Sequence, residues 1–400
     1  MTGGLETTRA QYEALPYPER DPADEAKRLI TGSPSHPIEI DHFLFGGTRD
    51  WSQPFRALVA GGGTGDGLIQ LTQLLTAAGK PHDIHYLDLS EASRKVAEAR
   101  AAARGLKVTF HTGSLLDAAE LGTFDYIDCC GVLHHLPEPA EGFRALRAAL
   151  APGGGMGLMV YAPYGRSGVY PLQEAFGALF ADLPPAERVA AAKAVLAKLP
   201  PGHPFKRNPH VKDHENGAAG FYDLLLHGQD VAMDVETLLG LLDETGWELV
   251  SFTQPALYDP SPLCPVPEEM SPRARMALAE RLYGTIKSHV AYVVAAGEGR
   301  APASAATGDP VPHLRLGNRE NVMTLLANSR PLKVSASGVD SEIRLPPKAA
   351  RLIGAVDGKR RLSEVFAAAR MERDEAMPLW ERIEAGFAGV GSLLYSGGAR

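Results

Sequence analysis

The stretch ALVAGGGTGDG, residues 57–67, decides the fold of this chain. The run 57–61 predicts a buried strand, and the glycines lead directly into a predicted helix over 68–79. Glycines between a strand and a helix let the main chain lie close to a ligand, because no Cβ intervenes. The dinucleotide fingerprint needs glycine at i, i+2 and i+5, and no frame of this stretch supplies all three. The pattern is instead G-x-G-x-G, formed by Gly61, Gly63 and Gly65.

The segments that follow alternate between short apolar runs and amphipathic runs. We predict strands at 83–90, 107–113, 124–133 and 156–162, and helices at 92–105 and 138–154. Further along, we predict a helix at 234–246, a strand at 247–254, a helix at 272–285 and a strand at 288–296. This alternation indicates parallel strands joined by right-handed crossovers, with ligands at the carboxyl ends of the strands. The sequence therefore predicts a doubly wound, Rossmann-like α/β fold.

An acidic residue, Asp88, ends the second predicted strand. An aspartate in this position commonly caps a turn or a helix. A carboxylate there can also accept hydrogen bonds from both ribose hydroxyls of a nucleoside that lies across the strand ends. Because the glycine loop precedes it by one helix, we predict the second role.

From Leu58 to Ala296 the sequence resembles the class I S-adenosylmethionine-dependent methyltransferase family, in a branch associated with bacteria. VAGGGTGDG (59–67), HYLDLS (85–90), HTGSLLD (111–117) and FDYIDCCGVLHHLPEP (124–139) resemble its first four motifs. The resemblance implies a seven-stranded sheet with an antiparallel last strand, S-adenosylmethionine as cofactor and S-adenosylhomocysteine as its product. It also implies the following cofactor-binding residues: Gly61, Gly63, Gly65, Asp88, Leu89, Ser114, Leu115, Cys130 and Gly131.

Two positions depart from the family pattern. Val59 stands where many relatives carry an acidic residue, two positions before the first glycine, and Ser114 stands where an acid often follows the glycine of the third motif. The first departure implies the loss of a water-mediated contact to the methionine end of the cofactor. The second removes one acceptor for the adenine amino group, which Asp117 could replace.

Candidate catalytic residues follow the fourth and fifth strands and the inserted region. His134, beside His135, titrates near neutrality and could accept a proton, and Tyr161 ends the fifth strand. His227 lies four residues after Asp223, so on a helix the carboxylate could orient the imidazole. We predict His134, His227 and Tyr161 as catalytic. The alternative for each histidine is a structural role, bonded to the backbone or at an interface.

Candidate substrate-binding residues lie in YGRSGVY (164–170) and in two other places. We predict Tyr164, Arg166 and Tyr170, together with Tyr17 and Asp223. The guanidinium of Arg166 matches a carboxylate or phosphate bidentately. The alternative is an ordinary loop in which the arginine pairs with a nearby acid.

Four regions follow from the changes in composition. We predict a leader or lid over 1–52, a methyltransferase domain over 53–297 and a linker over 298–311. Within the second region, 163–232 forms a helical insertion above the active site, with helices at 171–183 and 185–199. The fourth region, 312–400, is predicted as an α-rich accessory domain that weakly resembles peptide-binding winged-helix modules. We expect helices there at 345–356, 361–371 and 373–388 and a strand near 391–396.

Composition narrows the class of protein. A net charge of −8 argues against nucleic-acid and anionic-membrane partners. Three cysteines and no run of about 18 apolar residues favour a reducing, cytoplasmic setting without a membrane span. The spacing of His203, His210 and His214 matches no familiar metal site, so no metal is predicted. A homodimer is compatible with the sequence.

Three functions remain open. The first is methyl transfer to oxygen or nitrogen of a polar small molecule. The second is methylation of a peptide or protein held by the C-terminal domain. The third, which the departures at Val59 and Ser114 leave open, is a regulator that binds the cofactor without catalysis.

Overall fold

The computed structural model describes residues 2–306 and 308–397. Its strands are β1 Phe55–Ala60, β2 His82–Asp88, β3 Thr109–Thr112, β4 Phe124–Cys130, β5 Leu150–Tyr161, β6 Trp247–Phe252, β7 Ser288–Ala295, β8 Val311–Leu314, β9 Leu332–Ala336, β10 Val339–Ile343 and β11 Leu393–Ser396. Its first eight α-helices are α1 Thr2–Ala14, α2 Pro37–Leu44, α3 Asp66–Ala77, α4 Glu91–Ala103, α5 Pro139–Ala148, α6 Val169–Phe180, α7 Pro185–Lys198 and α8 Pro204–Arg207. The others are α9 Gly217–Leu225, α10 Val235–Thr245, α11 Pro272–Tyr283, α12 Arg319–Ala327, α13 Ala349–Ala355, α14 Leu362–Ala368 and α15 Arg373–Phe387.

Seven strands form one sheet in the order β3-β2-β1-β4-β5-β7-β6. β1 to β5 pair in parallel, and β7 is antiparallel to both β5 and β6. Side chains of β1 alternate between the two faces, because strand residues have a period of two. Leu58 and Ala60 join the core on one face, and Ala57 and Val59 join the core on the other. The predicted doubly wound sheet with an antiparallel last strand is confirmed.

One predicted boundary was wrong. The helix expected over 138–154 ends at Ala148, and β5 begins at Leu150 instead of near 156. The intervening sequence LAPGGG holds a proline and three glycines, which are the poorest helix formers. An extended chain suits them better. It runs along β4 with a register shift between Phe124 and Tyr126.

The leader contributes to the core of the domain. Ile40, Phe43 and Leu44 of α2 are buried with β1 in one apolar cluster. Nearer the N-terminus, Glu25 forms ion pairs with Arg100 of α4 and with Arg104, which directly follows that helix. The leader is therefore fixed by packing at α2 and by charge at Glu25.

Residues 163–232 form the helical layer that was predicted, with α6 and α7 close to their expected bounds. α8 and α9 are additional short helices in the same layer. Val169, Phe176 and Phe221 belong to its own apolar cluster. This layer stands next to the carboxyl ends of β4 and β5.

The C-terminal region has a core built around Trp380, whose Nε1 donates to Tyr395 Oη at 2.8 Å. β8 pairs with β11 and β9 pairs with β10, both antiparallel. The region is tied to the leader, because the Tyr395 backbone N–H donates to His42 Nδ1 at 3.1 Å. Ala303 and Ala305, within the segment predicted as a linker, are buried in the same C-terminal core.

In the described part of the chain, we find no helix that combines the length and apolar character needed to cross a bilayer.

Candidate active site

A cavity of about 500 Å³ opens at the carboxyl ends of β1, β2, β4 and β5. The glycine loop and the end of β2 form one wall, and leader residues around Tyr12, Tyr17 and Gly32 form another. The carboxyl edge is where an open parallel sheet brings its loops together. The position of the cavity therefore follows from the topology.

Two glycines shape the loop at the cavity wall. Gly61 has φ +70° and Gly63 has φ +52°, a region that side chains with a Cβ rarely adopt. A Cβ at Gly61 would collide with Val132, and one at Gly63 would lie 2.8 Å from the Tyr17 carbonyl oxygen. Because neither position has room for a side chain, the main chain itself borders the cavity.

Asp88 borders the cavity beside this loop. The Gly63 N–H donates to its Oδ2 at 2.8 Å, and the Ser90 N–H donates to its Oδ1 at 2.8 Å. Burial raises the pKa of the carboxyl, and these two hydrogen bonds oppose the shift. Each carboxylate oxygen has a second lone pair. The arrangement therefore leaves Asp88 able to accept two hydroxyl donors from a ligand.

Another part of the cavity lining, the polar end, is organised around Asp223 of α9. Tyr12 Oη donates to Asp223 Oδ1 at 2.9 Å, and Tyr161 Oη donates to Oδ2 at 3.2 Å. Burial, followed by the charge of Asp223, raises the pKa of both phenols far above neutrality, so both stay protonated donors. Arg166 also borders this end, with its guanidinium 3.6 Å from the centre of the Tyr161 ring.

His135 and His227 lie together here, and their hydrogen bonds place the ring proton on a different nitrogen in each. His135 Nδ1 lies 2.9 Å from the Gln229 carbonyl oxygen, which can only accept, so Nδ1 carries the proton. The lone pair of the neutral His135 ring is then on Nε2. His227 Nδ1 accepts the Gln229 backbone N–H at 3.0 Å, so its proton is on Nε2, 3.4 Å from Tyr12 Oη. His135 borders the cavity, and its available base is Nε2.

Comparison with known proteins agrees with this geometry. Residues 58–156 match the family described as "Methyltransferase domain". An uncharacterized protein of Synechococcus sp. is 30% identical over 262 residues, which are 64% of this chain and 61% of that protein. A ubiquinone biosynthesis O-methyltransferase of Marinobacter nauticus is 30% identical over 151 residues, 37% of this chain and 58% of that one. The solved structure of PKMT2 from Rickettsia typhi aligns with a TM-score of 0.63 and 14% identity, covering 92% of this chain and 77% of that chain.

Residues 58–156 therefore match a methyltransferase domain, in line with the resemblance of the sequence to the class I S-adenosylmethionine-dependent methyltransferase family. The chain spans about three fifths of each of the two relatives compared by sequence, at 61% and 58% of their lengths. The PKMT2 likeness, at 14% identity, shows the shared fold alone. S-adenosylmethionine is the cofactor of this family, and the glycine loop with Asp88 fits its nucleoside.

The methyltransferase domain brings most of the predicted cofactor residues to the cavity wall. Those that border it are Gly61, Gly63, Asp88, Leu89, Ser114, Leu115, Cys130 and Gly131. Gly65 has a different position, at the start of α3 with φ +100°, where a Cβ would lie 3.1 Å from Ala97 Cβ. Its small size serves the close packing of α3 on α4.

The predicted acceptor-side residues divide into two sets. Tyr17, Tyr161, Arg166 and Asp223 border the cavity. Among the described residues, His134, Tyr164, Tyr170 and His227 are outside its lining. His134 is fully buried, with its ring 4.0 Å from that of Tyr161, and Tyr164 is 36% exposed on the surface.

Asp223 and His227 do not share a helix face, because α9 ends at Leu225. Tyr12 Oη stands between them and contacts both. Asp128 and Ser35, for which the sequence predicts no role, also border the cavity, and His135 borders it instead of the predicted His134. The sequence feature that could have identified His135 is its position next to His134, which was predicted as catalytic.

Two groups of three side chains have potential metal-ligand atoms within 4.8 Å of one another, His134–His135–Asp230 and His135–Asp223–His227. In the first group, Asp230 Oδ2 already pairs with Arg166 Nη2 at 3.4 Å, and the guanidinium repels a second cation. In the second group, the Nδ1 of His227 is engaged by Gln229 and its Nε2 holds the proton. The guanidinium of Arg166 in the first group and the ring proton of His227 in the second both oppose the binding of a metal ion.

Replacement of Asp88 by alanine tests the nucleoside assignment. We expect the binding of S-adenosylhomocysteine, measured by titration calorimetry, to weaken by about 1–3 kcal/mol, because ligand hydroxyls lose a buried acceptor. Asp83→Ala is the control, since Asp83 lies at the exposed start of the same strand and pairs with Arg56. Equal affinity of the Asp88 variant and the wild type would refute the assignment.

Proposed function

We propose that this protein transfers a methyl group from S-adenosylmethionine to an oxygen or nitrogen atom of a polar small molecule. The observation that carries the proposal is the single cavity that joins the Gly61–Asp88 wall to a polar end containing His135, Tyr161 and Asp223. A nucleoside site and a proton acceptor in one cavity suit the transfer of a group between two bound molecules.

The cofactor supplies an electrophilic methyl group when bound. The chain must therefore align the acceptor and exclude water. Tyr12 and Tyr17 of the leader and Asp223 of α9 line the cavity. In the proposed reaction these residues would help to keep water away from the reacting atoms.

Asp223 is suited to orient the acceptor. Its two oxygens are fixed by the phenols of Tyr12 and Tyr161, and each retains a lone pair for an acceptor hydroxyl or amine N–H. His135 Nε2 then takes the proton that the nucleophile releases, a role for which histidine is the commonest side chain. The imidazolium that results keeps its Nδ1–H bond to the Gln229 carbonyl oxygen.

Transfer of tritium from methyl-labelled S-adenosylmethionine tests the function. We expect label in an organic product when the full chain is incubated with a panel of small phenols, alcohols and amines, and we expect S-adenosylhomocysteine to form in equal amount. Label that appears only in added peptides or proteins would favour the second reading of the sequence. Binding of S-adenosylhomocysteine without transfer to any acceptor would favour a regulator.

A further inference from the structure

A second buried carboxylate, Asp128, borders the cavity and has no part in the mechanism above. It lies in β4, where its register partner on β1 is Val59. Neighbouring strands are about 4.8 Å apart, and register partners of a parallel pair point to the same face. The Asp128 carboxylate therefore stands beside the place that an acidic side chain at position 59 would occupy.

The surroundings of Asp128 leave its charge uncompensated. Ser35 Oγ, from the leader, donates to Oδ2, and among the described residues Oδ1 has no hydrogen-bond donor. Only 2% of the residue is exposed, and the charge that acts on it is that of another carboxylate, Glu39, which repels it. Burial raises the pKa of Asp128 to about 7. A buried carboxylate is stabilised when a cation with N–H donors binds it.

The cofactor carries two cationic groups, a sulfonium and an α-ammonium. The sulfonium has no hydrogen to donate, whereas the α-ammonium has three N–H donors, which match the unpartnered Oδ1. The cavity lining also includes small and polar residues of this region, namely Gly32, Ser35, Gly67 and Gln70. Gln70 is held in place by two hydrogen bonds to the backbone of Gly32.

We propose that Asp128 binds the α-ammonium group of the methionyl end of the cofactor, supplying from β4 the acidic group that Val59 does not supply from β1. The inference rests on the proposed function to the extent that S-adenosylmethionine is the ligand. Ser35 makes the leader part of this subsite, since its hydroxyl fixes the Asp128 carboxylate.

Calorimetry with two ligands tests the proposal without an activity assay. The probes are S-adenosylhomocysteine and its analogue without the α-amino group. We expect the wild type to bind the amino ligand about 10- to 100-fold more tightly, and Asp128→Asn to reduce that preference to a few-fold. The affinity for the analogue should stay within about threefold, which also shows that the variant folds. An unchanged preference in Asp128→Asn would overturn the proposal.

Asp125→Asn is the matched control, because Asp125 lies at the other end of β4 and contacts Arg49 and Arg56. Its preference for the amino ligand should equal that of the wild type, and a loss as large as that of Asp128→Asn would also overturn the proposal. If the wild type binds neither ligand, the proposed function fails. If it binds both and transfers methyl groups while the preference stays in Asp128→Asn, this inference alone fails.

The pH dependence of binding is a second measurement on the wild type. Between pH 7.5 and 5.5 the Asp128 carboxyl takes up a proton, so the dissociation constant of S-adenosylhomocysteine should rise about tenfold. Glu39 of α2, Tyr126 and Cys130 of β4 and Tyr292 of β7 also face Asp128, and burial raises the pKa of the last three far above this range. The rise should be absent in Asp128→Asn. A rise of equal size in that variant would contradict the assignment.

Discussion

Replacement of His135 by alanine is expected to lower kcat for methyl transfer by about 10²- to 10⁴-fold, the usual contribution of a positioned general base. Among the described residues, the variant loses the one imidazole that borders the cavity, whose Nδ1 bonds Gln229 and leaves Nε2 as the base. Binding of S-adenosylhomocysteine should change little, because the described hydrogen bond of His135 is to Gln229 and not to the glycine loop or Asp88. Single-turnover transfer of labelled methyl to an acceptor found in the panel measures the effect.

Added imidazole separates a catalytic role from a structural one. The space left by the side chain should admit the free base and restore part of the rate, whereas a packing defect would not respond. His82→Ala serves as control, since His82 lies at the amino end of β2, outside the described cavity lining, and bonds the Lys80 carbonyl oxygen. A His135 variant with wild-type kcat would mean that the acceptor needs no base.

The sheet and the cofactor wall were predictable because their signals are local. The apolar runs, the G-x-G-x-G loop and Asp88 lie within 32 residues, 57–88, and each acts through its own backbone or its immediate neighbours. The polar end was harder to predict because its contacts are distant in sequence. Tyr12 reaches Asp223 across 211 positions, and no periodicity of either segment encodes that meeting.

The choice between His134 and His135 depended on a short 3-10 turn, Leu133–His135, which turns one ring into the protein interior and the other to the cavity. Sequence patterns do not predict which of two adjacent histidines faces a cavity. Asp128 is different, because its signal was present. When the ends of β1 and β4 are aligned, Asp128 pairs with Val59. Val59 is the position at which this chain lacks the acidic residue of the family pattern.

The attachment of the leader depends on a buried charge network that we expect to be the most sensitive point for stability. Arg100 of α4 is 1% exposed; its Nε donates to Glu25 at 2.6 Å and its Nη1 to Asp66 at 2.8 Å. Arg100→Met should lower the free energy of unfolding by about 3 kcal/mol, because removing one member of a buried ion pair leaves the charge of the other uncompensated. This is the low end of the usual range, because Arg104 still pairs with Glu25 and Arg20 with Asp66.

Urea unfolding followed by circular dichroism measures this loss, and Lys27→Met provides the contrast. Lys27 belongs to the same leader but pairs with Asp24 at the exposed surface, where solvent screens an ion pair and its loss should change the free energy of unfolding little. The Arg100 variant should also bind S-adenosylhomocysteine more weakly. Arg100 Nη1 donates a hydrogen bond to the Thr64 carbonyl oxygen, and Thr64 Oγ1 donates one to the Pro18 carbonyl oxygen, so Arg100 supports the leader beside the glycine loop. If both variants unfold at the same urea concentration, the network does not hold the leader, and the cavity wall at Tyr17 must be fixed by the packing of α2 instead.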